Sequence, residues 1–156
     1  MSNSAAAKAH FKLLAKAFDS KVWRYKTDED NLTMTTSFRG DDLSMPIIIK
    51  IDAERDIIRL HSVLETKFGE DKRAMGSVAT SLINWRVVNG CFDYDMSDGQ
   101  VVFRIVQSYR NCTLSEDVII YLVNCLVGTV DDYNDVLTKM ARGEADFNDL
   151  QRRINE

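Results

Sequence analysis

The fold of this chain is decided by the stretch LINWRVVNGCFDYDMSDGQVVFRI, which runs from Leu82 to Ile105. Asn89-Gly90 is typical of a left-handed stop, so the stretch begins as the end of a helix. Beyond it, apolar and polar residues alternate on both sides of Asp98-Gly99. That alternation predicts a β-hairpin with Asp98-Gly99 in its turn. The apolar residues of its two arms are Phe92, Tyr94, Val101, Phe103 and Ile105.

The residues before this hairpin predict two helices with four strands between them. The first helix spans about Ser4 to Asp19, and the second begins near Asp71. Gly40-Asp41-Asp42 is a polar break between two of the strands. The predicted strands are Val22–Tyr25, Leu32–Phe38, Ile47–Ile51 (directly after Pro46) and Ile57–Val63. The apolar positions of the second helix are Met75, Val78, Ala79, Leu82 and Ile83.

Two further helices follow the hairpin. Ser115 is suited to cap the longer one, and Arg142-Gly143 is suited to end it. A short helix is predicted from Asp146 to Ile154. The long helix carries an apolar stripe made of Ile119, Leu122, Val123, Leu126, Val130, Tyr133, Leu137 and Met140.

The element order α-β-β-β-β-α-β-β-α-α predicts an α+β fold, with helices packed on an antiparallel sheet. We expect one domain over residues 1–143 and a short helical extension over residues 144–156. A chain of 156 residues buries enough surface to fold without a disulfide or a metal.

Charge and cysteine content argue against several classes of protein. The chain has 20 basic and 24 acidic residues, whereas a nucleic-acid binder needs a basic surface. Its three cysteines form no C-x-x-C pair, which predicts free thiols and a cytoplasmic location. No apolar run approaches the roughly 20 residues that cross a membrane. The first helix is rich in lysine, but its apolar face favours a structural role over targeting. We expect neither nucleic acid nor membrane as a partner.

The acids around the hairpin turn do not fit a metal site. With Asp93 at the first position of a calcium loop, Asp98 stands where glycine is needed and Arg104 where glutamate is needed. These acids are typical of a solvated hairpin. His10 and His61 have no cysteine or acid at metal-ligand spacing, and no nucleotide-binding or nucleophile motif is present. We therefore expect no catalytic, cofactor-binding or metal-binding residues, and no enzyme.

The hairpin and its flanking helices resemble the bacterial YbjN family, whose domain is similar in fold to type III secretion chaperones. The resembling segments are LINWRVVNGCFDYDMSDGQVVFRI and LSEDVIIYLVNCLVGTVDDY. Ile83-Asn84 resembles the family's "LN" signature, and Asp98-Gly99 resembles its turn. The resemblance covers about residues 5–142 and is greater in the second half. The resemblance implies a non-enzymatic bacterial cytosolic protein that acts as a sensory-transduction or stress regulator. The related chaperones are usually dimers that bind an extended client segment. The resemblance assigns no site residues, because the matching motifs are structural.

The first functional hypothesis is a protein-binding module, chaperone-like or regulatory, that binds a client or partner protein as a homodimer. Its partner surface would combine part of the long helix with the last helix. We expect Leu150→Asp to disrupt association and leave the fold intact. The predicted partner-binding residues are Val130, Tyr133, Leu137, Met140, Phe147, Leu150 and Ile154.

The alternative hypothesis is a small-molecule-binding sensory domain. Its aromatic pocket would lie between the sheet and the helices, near Trp23, Tyr25, His61 and Trp85. The sequence does not determine whether these side chains converge.

Overall fold

The structure, a computed structural model, describes residues 3–41 and 43–155. The first half contains helix α1 (Asn3–Ser20) and strands β1 (Lys26–Asp28), β2 (Thr33–Arg39), β3 (Ser44–Asp52) and β4 (Ile57–Lys67). A 3₁₀ turn (Glu70–Lys72) leads into α2 (Arg73–Asn84), followed by β5 (Cys91–Tyr94), β6 (Gln100–Ser108), α3 (Glu116–Arg142) and α4 (Phe147–Asn155). This order confirms the predicted α+β fold. Asp42, part of the predicted break after β2, lies outside the described residues.

In the described part of the chain, six strands form one antiparallel sheet with the order β1-β2-β3-β4-β6-β5. Successive side chains of a strand point to opposite faces, so each strand has an inner side toward the helices and an outer side. The alternation is clearest in β3, where every second residue is buried. The inner sheet residues include Met34, Met45, Ile47, Ile49, Ile51, Ile58, Leu60, Val101, Phe103 and Ile105.

The helices cover only the inner side of the sheet. α3 lies across β4 and β6, and α1 packs beside it on β3. α2 packs against β5 at one edge of the sheet, and α4 contacts α3 and α2. Leu150 and Ile154 of α4 belong to the same apolar core as α3, so α4 packs on the domain. None of the helices in the described residues is long and apolar enough to cross a membrane.

The hairpin predicted from the opening stretch is present, and its turn requires glycine. Gly99 has a φ of 79°, which L side chains rarely adopt. A Cβ at this position would also lie 1.9 Å from the carbonyl oxygen of Phe68. The Gly99 N–H donates to the Asp95 carbonyl oxygen (2.8 Å), and the Phe68 N–H donates to the Gly99 carbonyl oxygen (3.0 Å). The turn therefore fixes both the hairpin and the end of β4.

Both predicted ends of the long helix are confirmed. The Ser115 side chain accepts a hydrogen bond from the Val118 N–H (3.3 Å), which satisfies one free donor of the first turn. Gly143 has a φ of 80°, and its N–H donates to the Met140 carbonyl oxygen (3.0 Å).

Three predicted boundaries are wrong. The first strand is Lys26–Asp28, because Val22 adopts a φ of 56° in a turn that closes α1. β3 begins at Ser44, two residues before Pro46. Proline removes only its own hydrogen-bond donor, so Ser44 and Met45 still pair with β2. α2 ends at Asn84, before the predicted stop, because the side chain of Asn84 bonds to β5 as described below.

Candidate functional site

A stripe of exposed apolar residues runs along α2 and into the loop that follows it. Val78 and Leu82 are four residues apart, and Trp85 continues their spacing directly after the last residue of the helix. The exposed fractions are 49% for Val78, 39% for Leu82, 88% for Trp85 and 97% for Val88. We call these four residues the α2 stripe. Contiguous exposed apolar surface is typical of an interaction site, whereas single exposed apolar residues are ordinary.

The opposite side of α2 explains why the stripe faces outward. The buried residues of the helix are Gly76, Ala79, Thr80 and Ile83, three of them small. A Cβ at Gly76 would lie 2.6 Å from Tyr94 Oη and 2.7 Å from the Phe68 ring, so the helix approaches the hairpin closely. α2 thus packs on the domain mainly through its small residues and leaves its larger apolar residues uncovered.

The side chain of Asn84 fixes the end of α2 to the edge of the sheet. Asn84 Oδ1 accepts from the Phe92 N–H (2.7 Å), and Asn84 Nδ2 donates to the Phe92 carbonyl oxygen (3.0 Å). These two bonds replace the bonds that a neighbouring strand would make to the outward-facing backbone of β5. The Ile83-Asn84 motif, which the sequence assigned only as a signature, therefore anchors the helix and blocks one position of the β5 edge.

The outer side of the sheet is the second uncovered surface. Ile48, Val63 and Val106 are 36–40% exposed there. Cα pairing places Ile48 opposite His61 and His61 opposite Arg104, and it places Lys50 opposite Arg59 and Arg59 opposite Val106. We call the outward residues in the middle of these central strands the outer sheet face. They are Ile48, Lys50, Arg59, His61, Val63, Val102, Arg104 and Val106. Ser44, Pro46, Glu65 and Lys67 lie outward nearer the strand ends.

Three side chains on or beside the outer sheet face have shifted pKa values with clear causes. Partial burial, with a smaller contribution from Arg59, lowers the pKa of His61. Arg104 donates to both carboxylate oxygens of Asp93, at 2.5 Å and 2.9 Å, and these bonds lower the pKa of Asp93. Burial raises the pKa of the neighbouring Cys91 thiol, which makes it a poor nucleophile near neutral pH.

The acids of the hairpin turn bond within the hairpin and to β4. Asp95 accepts hydrogen bonds from the backbone N–H (2.8 Å) and the hydroxyl (2.6 Å) of Ser97, and these bonds lower its pKa. Asp98 pairs with Lys67 at 2.8 Å. Among residues 3–41 and 43–155, no three His, Cys, Asp or Glu side chains are arranged to hold a metal ion.

His10, one of the two histidines considered as a ligand, lies in the core. Its Nδ1 donates to the Ala6 carbonyl oxygen (2.8 Å), and its Nε2 accepts from the Leu114 N–H (3.2 Å). The ring stacks on Tyr109 with 4.2 Å between centroids. His10 is therefore a hydrogen-bonded structural residue that ties α1 to the start of α3.

A cleft of about 630 Å³ lies between α3 and α4, and its lining is mainly acidic. Its three basic side chains are paired with acids of the same cleft: Lys139 with Asp135 (2.7 Å), Arg153 with Asp132 (2.9 Å) and Arg152 with Asp149. The acids of the cleft are Asp41, Asp131, Asp132, Asp135, Glu144 and Asp149. The cleft therefore places net negative charge on the helical side of the molecule.

The residues predicted to bind a partner are mostly covered in this structure. Tyr133 is half-buried and meets the Phe92 ring edge-on, and Phe147 is 38% exposed. Because Leu150 is fully buried, Leu150→Asp is expected to disturb the fold, contrary to the expectation from the sequence. Partner binding by these residues stays a prediction. The buried members are Val130, Leu137, Met140, Leu150 and Ile154.

The four side chains predicted to form an aromatic pocket do not converge. Trp23 meets the Phe18 ring edge-on at 5.2 Å, and Tyr25 meets the same ring at 5.6 Å. His61 lies on the outer sheet face and Trp85 in the α2 stripe. Small-molecule binding stays a prediction, without the pocket that suggested it.

The sequence reasoning missed the α2 stripe, although a signal for it is present. Val78 and Leu82 were identified only as helix-forming positions, and Trp85 was assigned to a pocket. The spacing of Val78, Leu82 and Trp85 continues one helical face, while Gly76 and its neighbours supply a face of small residues. A helix with small residues on one face and large apolar residues on another can pack on the domain through either face. The spacing of the residues does not reveal which face is buried.

Comparison with solved structures supports the predicted fold. A chain of the HopA1–SchA chaperone–effector complex aligns with a TM-score of 0.60 and 14% identity, over 85% of this chain and 97% of that one. A chain of the ExsC–ExsE complex aligns with a TM-score of 0.56 and 14% identity, over 83% and 93%. The fold is thus similar to that of secretion chaperones. No protein-family model matches the chain, and no curated protein matches it.

Proposed function

We propose that this protein is a non-enzymatic, chaperone-like protein-binding module, that it forms a homodimer through the α2 stripe, and that it binds a partner protein in the cytoplasm. The observation that carries the proposal is the uncovered stripe of Val78, Leu82, Trp85 and Val88 on a helix whose other side is buried. Apolar surface of this kind is stabilised when a partner removes it from water.

The composition of α2 favours a second copy of the chain as the partner on the stripe. After Arg73, the helix contains no charged residue. In a two-fold interface the same surface meets itself, so like charges would face each other and repel. The residues beside the stripe are Ala74, Ser77 and Ser81, which are small enough to let two helices approach closely.

The fold supports the chaperone-like part of the proposal. The HopA1–SchA structure pairs a chaperone with an effector, and its similar chain is matched over 97% of its length. We extend protein binding to the present chain on this similarity and on the exposed stripe. Membership of the YbjN family rests on the sequence resemblance alone, as does a regulatory role.

Size-exclusion chromatography with light scattering tests the homodimer. We expect a dimer for the wild type and a monomer for Leu82→Asp, with unchanged far-UV circular dichroism for both. Tyr121→Asp is the matched control, because Tyr121 is 53% exposed on α3, outside the stripe. A monomeric wild type, or a Leu82→Asp variant that stays dimeric, would overturn the assignment of the stripe.

Tryptophan fluorescence gives a second measurement of the same interface. In a Trp23→Phe background, Trp85 is the only remaining tryptophan. We expect its emission to shift to the blue as the protein concentration rises, because the ring leaves water when the dimer forms. An emission maximum that does not change with concentration, while the mass changes from monomer to dimer, would place the interface elsewhere.

A further inference from the structure

The outer sheet face carries two cations in an arrangement that the fold does not need. Lys50 on β3 lies directly opposite Arg59 on β4. Like charges at directly opposed positions of an antiparallel pair destabilise the sheet. No ion-pair partner compensates either side chain among the described residues. Two uncompensated cations at the centre of a sheet are better explained by a ligand than by stability.

The surroundings of these cations are mainly apolar, apart from His61 and from Asp52, which lies two residues from Lys50 on the same face and pairs with Arg55. Val106 lies opposite Arg59 on the other neighbouring strand, and Ile48 lies two residues from Lys50 on the same face. His61 lies opposite Ile48, and its Nδ1 is inaccessible to water and without a hydrogen-bond partner. The nearby Arg104 is already neutralised by Asp93. The face therefore combines exposed aliphatic side chains with two free positive charges and one unused polar atom.

This charge pattern is opposite to that of the molecule as a whole. The net charge is −4, and the cleft between α3 and α4 is lined by six acids. The outer sheet face thus stands out as a positive, partly apolar surface on an acidic protein. A ligand that matches it would be negatively charged and partly apolar.

We propose that the outer sheet face binds an extended segment of the partner protein in which pairs of aliphatic residues alternate with pairs of Asp or Glu residues, so that each side of the segment carries both kinds. Carboxylates of that segment would pair with Lys50 and Arg59, and its aliphatic side chains would cover Ile48, Val63 and Val106. This inference rests on the proposed protein-binding function and names the chemistry of the partner. The proposed homodimer would leave the outer sheet face uncovered, because it uses α2, which lies on the helical side of the sheet beside the edge strand β5.

The same features argue against the two other occupants of a positive face. A nucleic acid needs many phosphate contacts, whereas two free cations beside aliphatic side chains offer few. A second copy would have to bring its acidic cleft to this face, but the lining of that cleft offers just two aliphatic side chains, Val136 and Ala145, to cover the exposed apolar residues.

Fluorescence anisotropy with two labelled peptides tests the inference on the full chain. The acidic probe repeats Leu-Val-Asp-Glu, and the basic probe repeats Leu-Val-Lys-Lys, so that both offer the same aliphatic residues and each side of the peptide carries both kinds. We expect the acidic probe to bind and the basic probe to bind at least ten-fold more weakly. Added salt should weaken the acidic complex, because exposed charges are screened.

A double variant and a matched control locate the site. Lys50→Gln with Arg59→Gln removes two positive charges from the outer sheet face, and Lys8→Gln with Lys12→Gln removes two from the exposed side of α1. We expect the first pair to weaken binding of the acidic probe about ten-fold, since each exposed ion pair contributes modestly. The control pair should change binding less than about two-fold. Lys50→Gln alone should also raise the melting temperature slightly, because it relieves the repulsion with Arg59.

Each other outcome overturns the inference in a recognisable way. Equal binding of both peptides, or no effect of the Lys50 and Arg59 substitutions, would show that the charges do not select the ligand. Tighter binding of an oligothymidine than of the acidic peptide would indicate a nucleic-acid surface. A change of oligomeric state in the double variant would show that a second copy covers the face. The proposed dimer fails separately, through Leu82→Asp, so the two failures can be distinguished.

Discussion

Two helices of this protein carry apolar stripes of similar spacing, and the structure treats them differently. Apart from Tyr133, the residues of the α3 stripe are no more than 2% exposed, because α3 lies across the centre of the sheet. The α2 stripe is open to solvent, because α2 lies at the edge and packs through its small residues. An apolar stripe in a sequence therefore identifies a surface that will be covered, but not whether the same chain covers it.

The difference assigns different roles to the two helices. The α3 stripe contributes to folding, since its burial removes apolar surface from water within one chain. The α2 stripe contributes little to the stability of the monomer and is available for association. Substitutions that are identical in chemistry should therefore have very different consequences on the two helices.

The largest expected effect comes from placing the same charge in each stripe. Leu126→Asp puts an unpaired carboxylate into the core, at a cost of several kcal/mol against a total stability of about 5–15 kcal/mol. We expect this variant to be unfolded or insoluble. Leu82→Asp should keep native far-UV circular dichroism and a cooperative urea transition. If both variants unfold, α2 is covered within the monomer and the comparison is wrong.

The next effect applies the comparison within the short helix α4. Leu150 is fully buried between α4 and α3, whereas Phe147 is partly exposed on the same helix. We expect Leu150→Ala to lower the free energy of unfolding by about 3 kcal/mol, as for other buried leucines. Phe147→Ala should lower it by less than about 1 kcal/mol.

Urea denaturation of the two α4 variants measures this difference directly. Equal losses in the free energy of unfolding would mean that the buried and the partly exposed side chain contribute equally to the packing of α4. No loss from either would mean that α4 adds nothing to the fold, as expected if residues 144–156 were a separate extension.

The sequence predicted the order of the elements because turns, caps and side-chain periodicity are local properties. Asp98-Gly99 favours a tight turn in any context, and Ser115 is suited to cap a helix whatever the rest of the chain does. Val22–Tyr25 failed as a strand because its content of β-forming residues does not encode the left-handed turn at Val22. Local patterns therefore account for most of the fold.

The candidate site could not be predicted in the same way, because exposure depends on which elements meet. Val78 and Ala79 are both apolar members of one helix, yet only Val78 is exposed. The opposition of Lys50 and Arg59 depends on the register of β3 and β4, which neither strand specifies alone. The sequence placed the partner surface on α3 and α4 because the stripe of α3 exceeds what one strand pair would cover and the apolar face of α4 follows a helix stop.

A smaller effect tests how α2 is held at the edge of the sheet. Asn84→Ala removes both hydrogen bonds to the Phe92 backbone and leaves that N–H and carbonyl without these partners. We expect a loss of about 2 kcal/mol in the free energy of unfolding. The Phe92 amide should also exchange faster with deuterium, measured by mass spectrometry.

Ser81→Ala is the control for the Asn84 variant, because it truncates an exposed polar side chain of the same helix. It should change stability by less than about 0.5 kcal/mol. If Asn84→Ala is equally neutral, the small inner face of α2 is sufficient to hold the helix.

The smallest expected effect concerns an exposed ion pair on the outer sheet face. Hydrogen bonds from Arg104 lower the pKa of Asp93 in the folded state, so the pair stabilises the fold above the unfolded pKa of about 3.9. That contribution is lost as the pH falls through the folded-state pKa. The two side chains are 39% and 45% exposed, so we expect less than about 1 kcal/mol.

Urea unfolding of the wild type and Asp93→Asn, at neutral pH and near pH 3, measures this contribution. The variant should be the less stable protein at neutral pH, and the difference should shrink in acid, where Asp93 of the wild type begins to take up a proton. Asp30→Asn, in an exposed turn, is the matched control for the loss of one carboxylate from the surface. A difference that stays constant with pH would mean that Asp93 acts through the shape of the hairpin. In that case an exposed charge pair would contribute nothing to the fold, and Lys50 and Arg59 would be the only charges of the outer sheet face with a proposed role.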